Sequence, residues 1–292
     1  MASSSPTVAQ RRLARALRRL RADANLTIDQ VAEKLDLSAS TISRLETALA
    51  TVRRGDVREL LDIYEVTGTQ REELLQLAGQ SRQHPWWQEY KDLPNAAAAD
   101  LEAEAAVIRQ YSALLVPGLL QTEAYAREVL RAIRGDGADD LERQLKLRMN
   151  RQALLAEQKS PQYLVVLDES VLRRAVGGRQ IMQAQLERLI EASALPNVTV
   201  RLLPFSVGAH AGMDGEFTVF SYQKPEDPDV VYEDPDVVYV DNIGGGAYIE
   251  DRKITEQYNR TFEHLLDSAL DPARSIQTLA EAEHRLRKPE RG

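Results

Sequence analysis

The chain of 292 residues is 43% hydrophobic and 28% charged, which fits folded domains and excludes a wholly disordered protein. It has no cysteine, which excludes disulfides and thiolate zinc sites and is typical of a reducing cytoplasm, and its four scattered histidines predict no metal site. The formal net charge of -8 has the wrong sign for a protein that binds a polyanion such as DNA.

The charge is distributed unevenly along a chain whose length predicts two domains. Residues 1–83 hold 13 Lys and Arg and 11 Asp and Glu, whereas residues 84–292 hold the remaining 24 and 34. The acidity of the whole chain therefore says little about its first part. The uncharged stretch 110–122 is interrupted by Pro117 and Gly118 and is shorter than the roughly 20 residues that span a bilayer, so no membrane segment is predicted.

Apolar residues recur at helical spacing through the first 83 residues and predict five short helices. Asn25 suits the left-handed C-terminal cap of the first helix. Thr27, with Gln30 as an imperfect capping-box partner, and Ser38 suit the N-terminal caps of the second and third helices. The predicted helices cover approximately residues 8–23, 28–35, 39–47, 56–66 and 69–82. Helices of this length predict a compact all-α domain.

The pattern changes after these helices. His84 precedes Pro85, which disfavours continuation of a helix. We therefore predict a boundary near residue 84, with a helical domain over residues 1–83 and a second domain over residues 84–292.

The second domain mixes predicted helices with predicted strands. The segments QYLVVLDES and NVTVRLLPF are typical of buried strands and flank the amphipathic helix GRQIMQAQLERLIEAS, an order that predicts a right-handed β-α-β unit with parallel strands. Shorter strands are predicted in GEFTVFSY, DVVYV and GAYIE. Further helices are predicted over residues 100–111, 122–133, 139–157, 252–270 and 272–287. The expected fold of this domain is α+β with a small mixed sheet.

A heptapeptide, EDPDVVY, occurs twice in tandem, at residues 226–232 and 233–239. Repeat architectures need at least three larger units, so we interpret this pair as an in-frame duplication that lengthens one loop and strand. A shift of seven residues would turn the copies to opposite faces of one strand, and Pro228 and Pro235 also argue against a continuous strand.

The segment LTIDQVAEKLDLSASTISRLE, residues 26–46, has the outline of two short helices joined by a tight turn. A helix that reads DNA needs small or polar side chains in its first turns, so that they can enter the major groove. If Ile42 and Leu45 face the core, Arg44 lies outside and is the best candidate for a bidentate contact to guanine. The alternative is a helical bundle that retains only the shape of such a motif. The predicted base-reading residues are Ala39, Ser40, Thr41, Ser43 and Arg44.

Residues 13–46, centred on RRLRADANLTIDQVAEKLDLSASTISRLE, resemble the XRE (phage Cro/repressor-like) helix-turn-helix family. That family pairs an arginine late in the first helix with the glutamate that closes the recognition helix, so the resemblance implies a scaffold ion pair between Arg21 and Glu46. Two positions depart from the family pattern. Asp36 stands where a turn glycine is usual, and Ala48 where a glycine commonly follows the glutamate. Aspartate tolerates the left-handed conformation, so the departure at Asp36 is mild.

Phosphate contacts are expected around the two helices. The candidates are Thr27, Arg18, Arg53 and Arg54, with the two last residues in a loop before the fourth helix, and each could equally be a solvated surface residue. One module contacts few phosphates. We therefore expect a homodimer that binds a double-stranded DNA operator through two half-sites about 34 Å apart.

No catalytic constellation is evident in the second domain. Asp168 and Glu169 end a predicted strand, and His210 and Asp214 lie in a glycine-containing loop, a setting that favours ligands. The two acids are adjacent, however, and no nucleophile has an obvious base, so we expect neither an enzyme nor a cofactor. Structural roles are the alternative: Glu169 could cap the following helix, and His210 could bond the loop backbone.

The second domain resembles the domain of unknown function that follows XRE modules in actinobacterial regulators described as antitoxin-like. The motifs that carry the resemblance span roughly residues 86–286 and include WWQEYKDL, RMNRQALL, LDESVLRRAVGG, LPNVTVRLLPF and GAHAGMDGEFTVF. That family usually has one strand like DPDVVYV, so the resemblance implies that the second copy of the repeat is the strand and the first copy the insertion.

Regulators of this kind are often encoded beside a small acidic protein, which implies that the second domain binds a small partner protein or senses a ligand. The segment YSALLVPGLLQT could line such a contact, although its leucines are better explained as core. These leucines are Leu114, Leu115, Leu119 and Leu120.

Together these features predict a cytoplasmic, sequence-specific transcriptional regulator whose second domain serves dimerisation and the sensing of a ligand or partner. The alternative is an antitoxin-like protein-binding module that neutralises a small partner protein, with DNA binding secondary.

Overall fold

The first part of the chain folds as five helices, in the order that the sequence predicts. The structure is a computed structural model that describes residues 7–50, 52–82, 86–93, 96–134, 140–157, 160–223, 235–241 and 246–287. The five helices are α1 (Val8–Asp23), α2 (Ile28–Lys34), α3 (Ala39–Glu46), α4 (Arg54–Ile63) and α5 (Gly68–Gln80). Each contributes apolar side chains to one buried cluster, which includes Leu13, Leu17, Val31, Ile42, Leu60 and Leu74. The all-α prediction for this region is confirmed.

Helices α1 to α4 end in the same way. Each is followed by a residue in the left-handed region, with φ between 52° and 57°, and the amide of the next residue donates to a carbonyl five positions earlier. This is the Schellman arrangement, which satisfies carbonyls that the helix end leaves without partners. The prediction that Asn25 caps α1 in this way is confirmed. The four left-handed residues, none of them glycine, are Asn25, Asp36, Ala48 and Glu65.

Contacts group the described residues into two units, one that ends at Lys91 and one that begins at Asp92. The predicted boundary near residue 84 falls on residues 83–85, which lie outside the described residues. The first unit also contains a short 3-10 helix, Trp86–Tyr90. We refer to the two units as the helical unit and the α+β unit.

The α+β unit is built on a six-stranded mixed sheet. Its strands are β1 (Val107–Ser112), β2 (Gln162–Asp168), β3 (Val198–Leu203), β4 (Phe217–Ser221), β5 (Val237–Val240) and β6 (Ala247–Ile249), in the spatial order β3-β2-β1-β4-β5-β6. The pairs β1–β2 and β2–β3 are parallel, and β1–β4, β4–β5 and β5–β6 are antiparallel. The predictions of an α+β fold and of parallel pairing between β2 and β3 are confirmed.

Seven α-helices accompany this sheet in the described residues. They are α6 (Ala96–Glu104), α7 (Glu123–Arg134), α8 (Leu141–Arg151), α9 (Ser170–Arg173), α10 (Arg179–Ala192), α11 (Arg252–Ser268) and α12 (Pro272–Arg287). Helix α11 contacts four of the strands, and its Phe262 and Leu265 are buried with Tyr111, Val166 and Val219 in one cluster. Helix α12 contacts α10 and β3. No helix in the described part of the chain is long and apolar enough to cross a membrane.

The predicted helix over residues 100–111 is wrong in its second half. Helix α6 begins earlier, at Ala96, and ends at Glu104, and residues 107–112 form β1. This strand lies in the middle of the sheet, where it pairs with β2 on one side and β4 on the other. Val107, Ile108 and Tyr111 have side chains that suit a strand, and hydrogen bonding to two neighbouring strands outweighs the local helical spacing of the apolar residues.

The duplicated heptapeptide contributes one strand to the described structure. Strand β5 lies in the second copy, as predicted, and pairs with β4 through Phe220 and Val237. The first copy, residues 226–232, lies outside the described residues. That this copy is the insertion therefore stays a prediction.

Candidate nucleic-acid interface

The two helices of the predicted motif, α2 and α3, are each fixed at their N-terminus by a side chain. The Thr27 hydroxyl oxygen accepts from the Gln30 amide at 3.2 Å, and the Gln30 side chain accepts from the Thr27 amide at 2.8 Å. The capping box, predicted to be imperfect, is therefore complete. Ser38 accepts from the Thr41 amide at 3.1 Å and also hydrogen bonds to the Thr41 hydroxyl, at 2.8 Å. These bonds set where both helices begin.

The turn between α2 and α3 uses the left-handed conformation at a residue that is not glycine. Asp36 has φ 52°, and the Leu37 amide donates to the Ala32 carbonyl at 2.9 Å. Ala48, after α3, has φ 56°, and the Leu49 amide donates to the Arg44 carbonyl at 2.9 Å. An L-residue with a Cβ adopts this conformation at a cost of about 1–2 kcal/mol, so both positions keep the geometry of a glycine turn under strain.

A buried ion pair connects α1 to the end of α3. Arg21 donates from Nε to Glu46 Oε1 at 2.7 Å and from Nη2 to Oε2 at 2.9 Å, and its Nη1 donates to the Leu26 carbonyl at 2.8 Å. Glu46 is only 7% exposed. The hydrogen bond to Glu46 raises the pKa of Arg21. The three guanidinium nitrogens of Arg21 therefore fix α1 to the end of α3 and to Leu26, the residue before Thr27.

Helix α3 presents its polar residues outward over an apolar inner face. Ile42 and Leu45 are buried in the core cluster, whereas Ser40 and Arg44 are exposed. Arg44 makes one long hydrogen bond, from Nη2 to the Leu49 carbonyl at 3.4 Å, which is weak enough to be exchanged for a stronger acceptor. Of the remaining predicted base-reading residues, Ala39, Thr41 and Ser43 are partly buried.

The predicted phosphate-contacting residues are all exposed. The prediction that Arg53 and Arg54 lie in a loop before the fourth helix is wrong. Arg18 lies on α1, and Thr27 precedes α2. Helix α4 begins at Arg54 and not at the predicted Asp56, so Arg53 is its N-cap residue and Arg54 its first helical residue. The Val57 amide donates to the Arg53 carbonyl at 3.1 Å, which starts the helical hydrogen bonds two residues earlier than predicted.

The structure brings together two of the acidic and histidine side chains singled out in the α+β unit. His210 Nε2 lies 3.6 Å from Asp168 Oδ2, and His210 Nδ1 accepts from the Gly212 amide at 3.2 Å, as the structural alternative predicts. Glu169 is the N-cap residue of α9, as the structural alternative predicts, but its side chain makes no capping hydrogen bond. The Ser170 amide donates to Asp168 Oδ1 at 2.8 Å, and the Glu169 carboxylate accepts from Arg173 and, at 3.1 Å, from the Phe205 amide. Among the described residues, Asp214 makes no hydrogen bond or ion pair with these groups.

The leucines of YSALLVPGLLQT separate into two classes. Leu119 and Leu120 are 2% and 0% exposed, which confirms their prediction as core. Leu115 is partly buried, and Leu114 is 57% exposed, so the prediction of a core position is wrong for Leu114. Leu114 is therefore the residue of this segment that remains available to a partner.

Sequence reasoning missed a pair of arginines on α8, Arg148 and Arg151, which line a cavity in the α+β unit. Their spacing of three positions on one helix places them on one face, and that spacing was the available signal. Their carboxylate partner and the other lining residues come from distant parts of the chain, which no local pattern relates.

Comparison with known families matches both units. A family model described as a helix-turn-helix domain matches residues 12–74, and a model described as a domain of unknown function (DUF5753) matches residues 96–281. Comparison with curated proteins and with solved structures gave no match. The helix-turn-helix match supports a function as a DNA-binding regulator. The match to the domain of unknown function covers more than half of the chain, and the protein therefore belongs to the DUF5753 family, with a helix-turn-helix domain preceding that domain.

Proposed function

We propose that the protein is a sequence-specific transcriptional regulator of the XRE type that acts in the cytoplasm as a homodimer. The observation that carries this proposal is the buried Arg21–Glu46 ion pair, which fixes α3 with Ser40 and Arg44 exposed. A recognition helix must keep its orientation while its outer side chains exchange water for base edges, and a bidentate pair at its C-terminal end serves that need.

In this proposal the helical domain, residues 1–83, binds double-stranded DNA, and residues 84–292 provide dimerisation and the sensing of a ligand or partner. Arg44 contacts a guanine, and four exposed side chains contact phosphates. The base-reading residues are Ala39, Ser40, Thr41, Ser43 and Arg44, and the phosphate-contacting residues are Arg18, Thr27, Arg53 and Arg54.

Footprinting on the DNA upstream of the protein's own gene tests the proposal. The expected result is protection of two half-sites about 34 Å apart, because a dimer presents two recognition helices one helical turn apart. Protection that is absent at low salt, or that covers every sequence equally, would contradict sequence-specific regulation.

The salt dependence of operator affinity tests the phosphate contacts separately. Each neutralised phosphate changes the slope of log K against log salt concentration by about -0.9, so Arg53→Ala and Arg54→Ala should each make the slope shallower by about that amount. Arg82→Ala removes the same charge at an exposed position after α5 and is the matched control. Slopes that are equal in all three variants would exclude Arg53 and Arg54 from the interface.

An antitoxin-like function, in which the protein neutralises a small partner protein, is the second candidate, and one observation favours it. Large apolar side chains are exposed in the loops at one edge of the sheet: Leu114 at 57%, Phe205 at 54% and Met213 at 66%. These loops follow β1 and β3 and precede β4, and the pairing of the strands brings them to the same edge. Such a group of residues is typical of a protein-binding surface.

Purification of the protein with its genetic neighbour, in the absence of DNA, tests this second function. A complex that forms with the wild-type chain and is lost in Leu114→Ser would support it. Leu37→Ser, in the helical unit, is the control for removal of an exposed leucine. If the neighbour does not co-purify with the wild-type chain, the antitoxin-like function is excluded for that pair.

A further inference from the structure

The α+β unit contains a cavity of about 160 Å³ between one face of the sheet and the helices that cover it. Ile108, Gln110 and Ser112 line it from alternate positions of β1, which places their side chains on the same face of the sheet. Arg148 and Arg151 line it from α8. The cavity thus combines apolar surface with two guanidinium groups.

One of these guanidinium groups is neutralised by the protein itself. Arg151 Nε donates to Glu102 Oε2 at 2.8 Å, and a second hydrogen bond joins Arg151 Nη2 to Glu102 Oε1. The side chains are 12% and 7% exposed. The two charges of this ion pair neutralise each other, so the pair offers no net charge to a ligand.

Arg148 is in the opposite situation. It donates from Nη1 to the neutral Gln121 Oε1 at 2.8 Å, and Gln121 is itself fixed by a bond from its Nε2 to the Val116 carbonyl at 2.7 Å. Within the described residues no carboxylate lies at ion-pair distance from Arg148, and the remaining N–H donors of its guanidinium have no protein acceptor. Burial, together with the nearby Arg151, lowers the pKa of Arg148 to about 10, which still leaves it positively charged at neutral pH.

Neutral donors line the same cavity. The Gln110 side-chain oxygen accepts from the Tyr163 hydroxyl at 2.5 Å, so the Gln110 amide group remains a donor. Ser112 and Thr218 are only 4% and 8% exposed. Their hydroxyls make no side-chain hydrogen bond to any other residue that the structure describes. These polar groups line the cavity and can therefore donate to water or to a ligand inside it.

The carboxylates on the cavity wall restrict the charge of a ligand. Glu216 Oε1 accepts from the amides of Ala113 and Leu114, each at 2.5 Å, and Asp241 accepts from the Tyr239 hydroxyl at 3.3 Å. Both carboxylates repel any anion, and they repel a dianion such as a phosphate monoester about twice as strongly as a monoanion, so a monoanion held by Arg148 is the more favourable ligand. This volume is close to the roughly 150 Å³ of a cavity that holds one benzene molecule, so the ligand is about the size of benzene with a small substituent.

We propose that this cavity binds a small organic carboxylate as the effector of the regulator, with the carboxylate on Arg148 and the apolar part of the ligand against Ile108, Val129 and Phe220. The proposal names the ligand class for the sensing role of the proposed function and rests on that function. Binding to the cavity can nevertheless be measured without DNA.

Isothermal titration calorimetry of the full chain, without DNA, tests the ligand class. The probes are benzoate, phenylacetate and 4-methylpentanoate, each compared with its neutral amide. At least one carboxylate is expected to bind with a Kd of about 1 mM or below, and its amide at least about tenfold more weakly, because the amide lacks the charge that Arg148 attracts. Amides that bind as tightly as the acids, or three carboxylates without binding at about 10 mM, would overturn the proposal.

Variants locate the binding. Arg148→Gln is expected to weaken the carboxylate at least about tenfold, and Thr218→Val, which keeps the shape of the side chain and removes its hydroxyl, a few fold. Arg143→Gln on the same helix is the control, since Arg143 pairs with Asp92 and Asp140 outside the cavity lining. Circular dichroism establishes that each variant is folded. Unchanged affinity in both Arg148→Gln and Thr218→Val would overturn the assignment of the site.

A DNA-binding measurement with and without the bound carboxylate separates this proposal from the proposed function. A change in operator affinity of at least a few fold supports the effector role. A carboxylate that binds the cavity of a protein that footprints its operator, but leaves the operator affinity unchanged, overturns the effector role alone. Carboxylate binding by a protein without a footprint overturns the regulator function and leaves the cavity as a binding site.

Discussion

The helical unit and the α+β unit each contain a shielded arginine, and the two arginines have different partners. Arg21 bonds Glu46 and the Leu26 carbonyl through all three of its nitrogens, whereas Arg148 makes one bond, to the neutral Gln121. Burial alone therefore does not reveal the role of an arginine. The partner does: a guanidinium with a full set of acceptors fixes a structure, and one with donors left over can bind a ligand.

Removing the partner of Arg21 should produce the largest effect. Glu46→Ala leaves a buried guanidinium without its carboxylate, and we expect the free energy of unfolding of the helical unit to fall by about 3–5 kcal/mol. Denaturant unfolding followed by far-UV circular dichroism measures this loss. Glu59→Ala, at an exposed position on α4, should change it by less than about 0.5 kcal/mol. A loss in Glu46→Ala as small as that of the control would show that the pair is not a structural requirement.

Arg44 extends the comparison to an exposed arginine on the same helix as Glu46. Arg44→Ala should lower specific operator affinity by about 1–3 kcal/mol and leave the free energy of unfolding within about 0.5 kcal/mol of the wild type, since only one long hydrogen bond is lost. Fluorescence anisotropy with operator and with scrambled DNA measures the first quantity. Specific binding that survives Arg44→Ala unchanged would exclude Arg44 as a base reader.

A substitution at Ala48 measures the cost of the left-handed conformation after α3. A glycine at φ 56° avoids the strain of the Cβ, so Ala48→Gly should raise the free energy of unfolding of the helical unit by up to about 1 kcal/mol. Gly79→Ala in α5, where φ is not positive, provides a comparison in which removal of a glycine should stabilise by a similar amount. A destabilised Ala48→Gly would mean that the chain entropy of glycine outweighs the relief of strain.

Only a small effect on stability is expected at Arg148. Arg148→Gln loses one hydrogen bond to Gln121 but also removes a charge whose burial is unfavourable, and the two contributions oppose each other. We expect the free energy of unfolding to change by less than about 1 kcal/mol, in contrast to Glu46→Ala. A loss of several kcal/mol in thermal or denaturant unfolding would assign Arg148 a structural role like that of Arg21.

The helical unit was predictable because its signals are local. The spacing of apolar residues predicts the five helices, and the capping side chains of Thr27 and Ser38 predict where α2 and α3 begin. The resemblance to a known family supplied the partners Arg21 and Glu46, which are too far apart for any periodicity to relate. The predicted start of α4, at Asp56, is wrong because the N-cap residue Arg53 makes no side-chain capping hydrogen bond and is not a residue type that predicts a helix start.

The α+β unit was less predictable because its decisive contacts are distant. Strand β1 follows an alanine-rich helix without a turn signal, and its identity depends on hydrogen bonds to β2 and β4. The cavity depends on the same long-range pairing, since it joins residues as far apart as Ala98 and Asp241. A single sequence shows neither relation.

The order of the strands also determines when each unit can fold during synthesis. Every α-helix of the helical unit lies within the first 80 residues, whereas Tyr111 in β1 can pair with Val166 in β2, and then with Phe217 in β4, only after those residues have been synthesised. Ribosomes add about 5–20 residues per second, so the helical unit is complete roughly ten seconds before β4 emerges. Local helical contacts also form faster than long-range strand pairs. On the nascent chain, the helical unit is therefore folded while β1, in the middle of the sheet, still has an unpaired edge.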